Sequence, residues 1–191
     1  MRASDGMEVI VCRDVTEWEA WLAANHESRS GVWLKIAKKH SGRRTVSITE
    51  ALDVALCYGW IDSIRRSHDQ DYYLQRYSPR RPGSHWSKVN VAKVESLIAA
   101  GRMRPAGLAQ VEAAKADGRW AAAYESQKNA TVPADLAEAL EQNSTAKSYF
   151  DQLGKTDRYQ VILRLLKAKT PESRTQLVKK TISMLEAGEL F

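Results

Sequence analysis

Fifteen residues, RYSPRRPGSHWSKVN at 76–90, carry three arginines, a lysine, a histidine, a tryptophan, two prolines and a glycine. Arginine is the side chain suited to carboxylate or phosphate, because its planar guanidinium donates two parallel hydrogen bonds. Pro79 and Pro82 restrict φ on either side of Arg80 and Arg81, and Gly83 permits a close backbone approach. Ser87 and Lys88 then open a predicted helix, whose first N–H groups favour an anion. Arg76, Arg80, Arg81, Ser87 and Lys88 are therefore the candidate anion-binding residues. The competing structural reading ties Arg80 and Arg81 to internal carboxylates such as Asp62 and uses Trp86 as a core plug.

Charge is focused on this region. Residues 76–104 hold seven basic residues (Arg76, Arg80, Arg81, Lys88, Lys93, Arg102, Arg104) against Glu95 alone, a surplus equal to the net +6 of the whole chain. The other 22 basic and 22 acidic residues cancel. A localised positive field is expected, of the kind that draws an anionic small molecule or nucleic acid.

Other chemistry is thinner. Asp62 lies in YGWIDSIRR, where strand alternation places Trp60, Asp62 and Ile64 on one face. A carboxyl beside large apolar groups is a weak candidate general acid or base, or a structural partner for a nearby arginine. Cys57 falls at the end of a helix, where the dipole disfavours a thiolate, and Cys12 stands far from it; two free thiols in a reducing compartment are expected. The four histidines show no HxxxH or HExxH spacing, and the His68, Asp69, Asp71 cluster reads as a polar hairpin tip. No metal and no cofactor is predicted. Tyr73 and Tyr77 alternate with Tyr72, Leu74 and Arg76, so a tyrosine face that stacks bases is a further reading.

Positioning these groups requires the following elements. A helix over 15–25 carries Trp18, Trp21 and Leu22, capped by Asp14 or Thr16. A strand covers 32–39, and SITEALDVALCY forms a helix opened by a Ser47/Glu50 capping box. Residues 60–78 form a β-hairpin. Helices follow from Lys88 to Ala100, burying Val94, Leu97 and Ile98, and from Pro105 to about Asp117. The polar stretch SQKNATVP at 126–133 is a linker. Beyond it, four short helices are expected, with Tyr159, Ile162, Leu163 and Leu166 marking the apolar stripe of the third. The predicted fold class is α+β: a small antiparallel β-sheet covered by helices over 1–125, followed by a C-terminal helical bundle over 126–191.

Three segments, ALCYGWIDS, YLQRYSPRRPGSHWSKVN and AGRMRPAGLAQVEAAKADGRW, together with the tail from VPADL to LEAGE, resemble the YdeI/OmpD-associated (bacteriocin-protection, OmdA-like) family of bacterial proteins. The resemblance runs from about Trp18 to Gly188. It implies a role in bacteriocin or antimicrobial-peptide protection and stress resistance, carries over no catalytic residue, and through some relatives implies a YjbR/CyaY-like fold.

The resulting expectation is a non-catalytic anion-binding protein. Two alternatives stand: a winged or YjbR/CyaY-like nucleic-acid-binding module, and an enzyme on a phosphorylated or carboxylated small molecule with Asp62 as acid or base and Arg80 and Arg81 as clamps. No membrane span is expected, since no apolar run approaches about 20 residues. MRASDGMEVIVCRD lacks the apolar core of a secretory signal, and a cytoplasmic location is predicted.

Overall fold

The computed structural model describes Ala3, residues 5–168 and residues 170–190. The chain divides into two compact units, one of Met1–Trp86 with Asn90–Ala122, the other of Ser87–Val89 with Ala123–Phe191. The fold class is α+β.

The first unit holds β1 (Val9–Val11), α1 (Val15–Asn25), β2 (Val32–Ala37), α2 (Ile48–Cys57), β3 (Trp60–Ser67), β4 (Tyr72–Pro79), most of α3 (Lys88–Ala99) and α4 (Pro105–Ala116). Its sheet has the order β1-β2-β4-β3. Strands β2, β4 and β3 are antiparallel, whereas β1 runs parallel to β2, so the sheet is mixed where a purely antiparallel one was expected. Three residues, VIV, are too short to show a period, which is why β1 left no signal in the sequence.

The helix starts follow their expected chemistry. Asp14 caps α1 by accepting from Glu17 N–H, and Ser47 and Glu50 form the reciprocal capping box of α2. Trp18 of α1 is fully buried, packs on Tyr77 at 5.3 Å between ring centroids, and donates its indole N–H to the Ala51 carbonyl at 3.0 Å. A single tryptophan thereby joins α1, α2 and the sheet.

The hairpin departs from simple alternation. Register shifts between Asp62 and Arg65, and Ile64 is 47% exposed instead of sharing the buried side of Trp60. Buried Gln75 fills the irregularity: its amide NH₂ lies 3.4 Å from the Ser63 carbonyl and 3.3 Å from that of Ile64, and its oxygen accepts from Arg65 Nε at 3.1 Å. Carbonyls displaced from the ladder by the bulge are thus satisfied from the opposite strand. In α3, Val94 and Leu97 are buried as expected, but Ile98 is exposed.

The second unit contains α5 (Ala134–Glu141), α6 (Ser144–Gln152), α7 (Lys155–Leu166) and α8 (Pro171–Glu186), the four helices expected. Its core is built on Leu136, Phe150, Val161, Leu165 and Leu185. Along α7 the buried face is Val161, Ile162 and Leu165, turned from the predicted stripe, and Leu166 is exposed. Arg174 of α8 clamps Asp135 of α5 with two hydrogen bonds of 2.6 and 2.9 Å and also donates to the Leu165 carbonyl at 3.0 Å. One bidentate side chain so links three helices.

Candidate functional site

The loop after β4 is held by its own residues together with Gly59, Arg119 and Trp120. Arg80 N–H donates to the Gly59 carbonyl at 3.0 Å, and Gly59 takes φ +73°, a left-handed exit from α2 that a side chain would oppose. The Arg80 guanidinium lies 3.7 Å over the Trp86 ring and donates through Nη2 to the His85 carbonyl at 2.7 Å. Trp120 also packs on Trp86, meeting it edge to face at 4.8 Å between ring centroids. Arg119 donates to the Ser84 carbonyl at 2.8 Å and is oriented by a salt bridge to Asp117 of 2.7 Å. Arg80 is only 5% exposed, so its stacking is desolvated and is worth about 2 kcal/mol or more.

Arg81, next in the chain, has the opposite character. It is exposed, and no carboxylate pairs with it among the described residues. Its carbonyl accepts from Ser84 N–H at 3.0 Å across a turn in which Gly83 adopts φ +72°. The loop therefore fixes the backbone of Arg81 and leaves the guanidinium to solvent.

Arg76 stands opposite Trp33 in the β2–β4 ladder, half-buried, with an Nε that finds no hydrogen-bond partner among the described residues. Ser87 and Lys88 are counted in the second unit, where Ser87 bridges Tyr124, Lys88 N–H donates to the Tyr124 carbonyl at 2.9 Å, and Lys88 Nζ lies 2.6 Å from Glu125. Both the backbone N–H and the ammonium that made Lys88 a candidate are engaged. Lys93 pairs with Asp53 at 2.6 Å and Arg104 with Glu19 at 2.7 Å. Three of the seven cations in the basic run thus meet acids from elsewhere in the chain, and the linear charge count overstates the local field.

Asp62 is half-buried opposite Tyr77 in the β3–β4 ladder. Burial raises its carboxyl above the ordinary aspartate value, with hydrogen bonding to its own backbone N–H and the charge of Arg65 acting in the other direction. The Tyr77 hydroxyl is buried without a hydrogen-bond partner among the described residues, and burial also raises the phenol, reinforced by Asp62. A carboxyl whose folded pKa is raised binds more protons folded than unfolded, so its contribution to stability falls as pH rises from the aspartate value of about 3.9 through the raised folded value. Asp62→Asn is accordingly expected to gain on wild type in denaturant midpoint between pH 4 and 7, the two converging at lower pH. A variant that loses ground on wild type over that range would show a carboxylate stabilised in its charged form.

The tyrosines offered for base stacking are occupied. Tyr77 is in the core, Arg65 lies 4.7 Å over Tyr73, and Lys35 lies 4.3 Å over Tyr72. At the hairpin tip, Asp69 accepts from Asp71 and Tyr72 N–H at 2.9 and 2.7 Å, and Asp71 pairs with Arg43. No cluster of three or more His, Cys, Asp or Glu side chains suited to a metal occurs among the described residues. Cys12 and Cys57 are buried free thiols; burial, aided by Glu17 and Asp14, pushes Cys12 up to about 11, and burial raises Cys57. Neither is poised as a nucleophile.

Trp120, Arg119 and Gln75 are the residues that sequence reasoning missed. Trp120 lies 34 positions beyond Trp86, and only the GRW following the expected end of α4 hinted that a second tryptophan would be placed near a turn.

Comparison with known proteins bears on this architecture in two blocks. Residues 10–110, more than half of the chain, match a domain of unknown function (DUF8412), and residues 129–188 match the family described as bacteriocin-protection, YdeI or OmpD-associated. The YdeI/OmpD-associated description therefore applies to the C-terminal helices, while the motifs from YGWIDS to RMRPAGLAQ fall under the first model. Neither curated proteins nor solved structures yielded a match. No described helix is long and apolar enough to cross a membrane. The chain thus belongs to the DUF8412 family, whose model spans its sheet-containing part, and its residues 129–188 are similar to the family described as bacteriocin-protection, YdeI or OmpD-associated.

Proposed function

We propose that this protein is a non-catalytic, cytoplasmic binding protein for an anionic partner, acting in bacteriocin or stress resistance, with Arg81 as the residue offered to the anion. The observation that carries the reading is the division of labour in the loop: Arg80 is enclosed against Trp86 while Arg81 stands exposed on a backbone already fixed. A preformed loop loses little backbone entropy on binding, and an exposed guanidinium keeps both arms of its fork for carboxylate or phosphate. Arg76, on the strand leading into the loop, is the second contributor. Ser87 and Lys88 are counted in the second unit, where Glu125 and Tyr124 hold Lys88, and they take no part in this reading. The family description of the C-terminal helices supports the resistance role.

Calorimetric titration with inorganic phosphate, mononucleotides and a single-stranded oligonucleotide at low salt tests this. Arg81→Ala is expected to weaken the best of these ligands at least about fivefold, in line with loss of a charge-assisted hydrogen bond, with an unchanged melting temperature. Were the oligonucleotide the best, two arginine contacts predict a log K against log salt slope of about −1.4, shallower than the roughly −3.5 that five contacts would give. Absence of binding by every anion, or full affinity in Arg81→Ala, would remove the proposal.

A further inference from the structure

The second unit contains a groove of about 670 Å³ between the 126–132 segment and the first turns of α7, within the size range of small-molecule sites. Its charge is of one sign: Lys128, Lys155 and Arg158 line it, and no Asp or Glu does. Arg158 is fixed by donating Nε to the Phe150 carbonyl at 3.1 Å and Nη2 to the Asp151 carbonyl, so backbone dipoles orient it without cancelling its charge. Lys128 and Lys155 are exposed and enter no ion pair among the described residues. Beside the polar Ser126 and Gln127, an apolar wall is made by Val132, which is 39% exposed, by buried Ile162, and by the ring of Tyr159. The Tyr159 hydroxyl donates to the Glu125 carbonyl at 3.0 Å, and Gln127 donates to Thr156 at 3.3 Å, so both sides of the groove are tied together.

We propose that this groove binds a small amphipathic anion, a carboxylate or phosphate headgroup on an aliphatic or aromatic body. Charge complementarity selects this occupant. Three cations without a lining acid attract an anion but reward a neutral amphiphile little, and the apolar wall adds about 25 cal/mol for each Å² it covers, which inorganic phosphate cannot supply. None of these residues belongs to the arginine loop, and the inference stands without it.

Isothermal titration of the full chain with decanoate and decyl phosphate, below their micelle concentrations, tests the inference against octyl glucoside and inorganic phosphate. Saturable one-to-one binding of either decyl anion, at least about tenfold tighter than both controls, supports it, and the tighter of the two identifies the headgroup. Lys128→Glu with Lys155→Glu should weaken that binding at least about tenfold, with the unfolding midpoint retained because both side chains are exposed. Carrying out these titrations in an Arg81→Ala background removes anion binding at the arginine loop, so that the remaining signal belongs to this groove. The inference is overturned if neither decyl anion binds in the Arg81→Ala background, if octyl glucoside binds as well, or if adding the two lysine substitutions leaves the affinity unchanged.

Discussion

Trp86→Ala is expected to lower the stability of the first unit by about 3–5 kcal/mol, read as a reduced urea midpoint followed by the fluorescence of the remaining tryptophans. Trp86 is 2% exposed and fills the space between the Arg80 guanidinium at 3.7 Å and the Trp120 ring at 4.8 Å. Removing the indole opens a cavity and takes away the face on which a desolvated cation rests. The indole N–H itself has no hydrogen-bond partner among the described residues, so it adds nothing that a benzene ring would lose. Trp86→Phe should therefore retain much of the stability that alanine forfeits, at a cost set by volume alone. A phenylalanine variant as damaged as the alanine one would mean that the indole nitrogen, and not the ring face, holds the loop.

Gly107→Ala is the second large effect, about 2–3 kcal/mol of destabilisation at a position where helix propensity alone predicts a gain of up to about 1 kcal/mol. Gly107 lies inside α4, and a Cβ built there would stand 2.2 Å from the Cys57 carbonyl oxygen and 2.8 Å from that of Leu56. Both obstacles are backbone at the end of α2, and neither can rotate away as a side chain would. The same corner accepts the Arg104 N–H at Cys57 O, 3.1 Å, so the helices approach backbone to backbone. Displacing α4 would also disturb the Ala114 carbonyl that accepts from Trp120 N–H at 2.9 Å, and with it one wall of the Trp86 site. Equal or higher stability in the alanine variant, measured by the same urea titration, would show that the two helices do not meet so closely.

Helix starts were legible in the sequence where they carried capping chemistry, as at Asp14 and Ser47. Local side chains satisfy local N–H groups, so that information sits within four residues. The hairpin was legible as two strands but not as a bulged pair, because the bulge depends on Gln75 reaching across to Ser63 and Ile64. The roles of Arg80 and Arg81 were the least legible. Their identities are the same and their positions adjacent; Trp86, itself packed on Trp120, and the His85 carbonyl receive the guanidinium of Arg80 from elsewhere in the chain than its immediate neighbours. The competing structural reading named carboxylates such as Asp62 as the arginines' partners; the contacts of Arg80 described above are with a tryptophan face and a backbone carbonyl. Linear charge was misleading for a related reason, since Glu125, Asp53 and Glu19 arrive from distant segments to meet Lys88, Lys93 and Arg104.

The unequal roles of the two adjacent arginines are tested most directly by unfolding Arg80→Ala and Arg81→Ala side by side in urea at neutral pH. Loss of about 2–3 kcal/mol is expected in Arg80→Ala, which forfeits the stack on Trp86 and the bond to the His85 carbonyl, against no more than about 0.5 kcal/mol in Arg81→Ala. Equal losses in the two variants, or a larger loss in Arg81→Ala, would contradict the account.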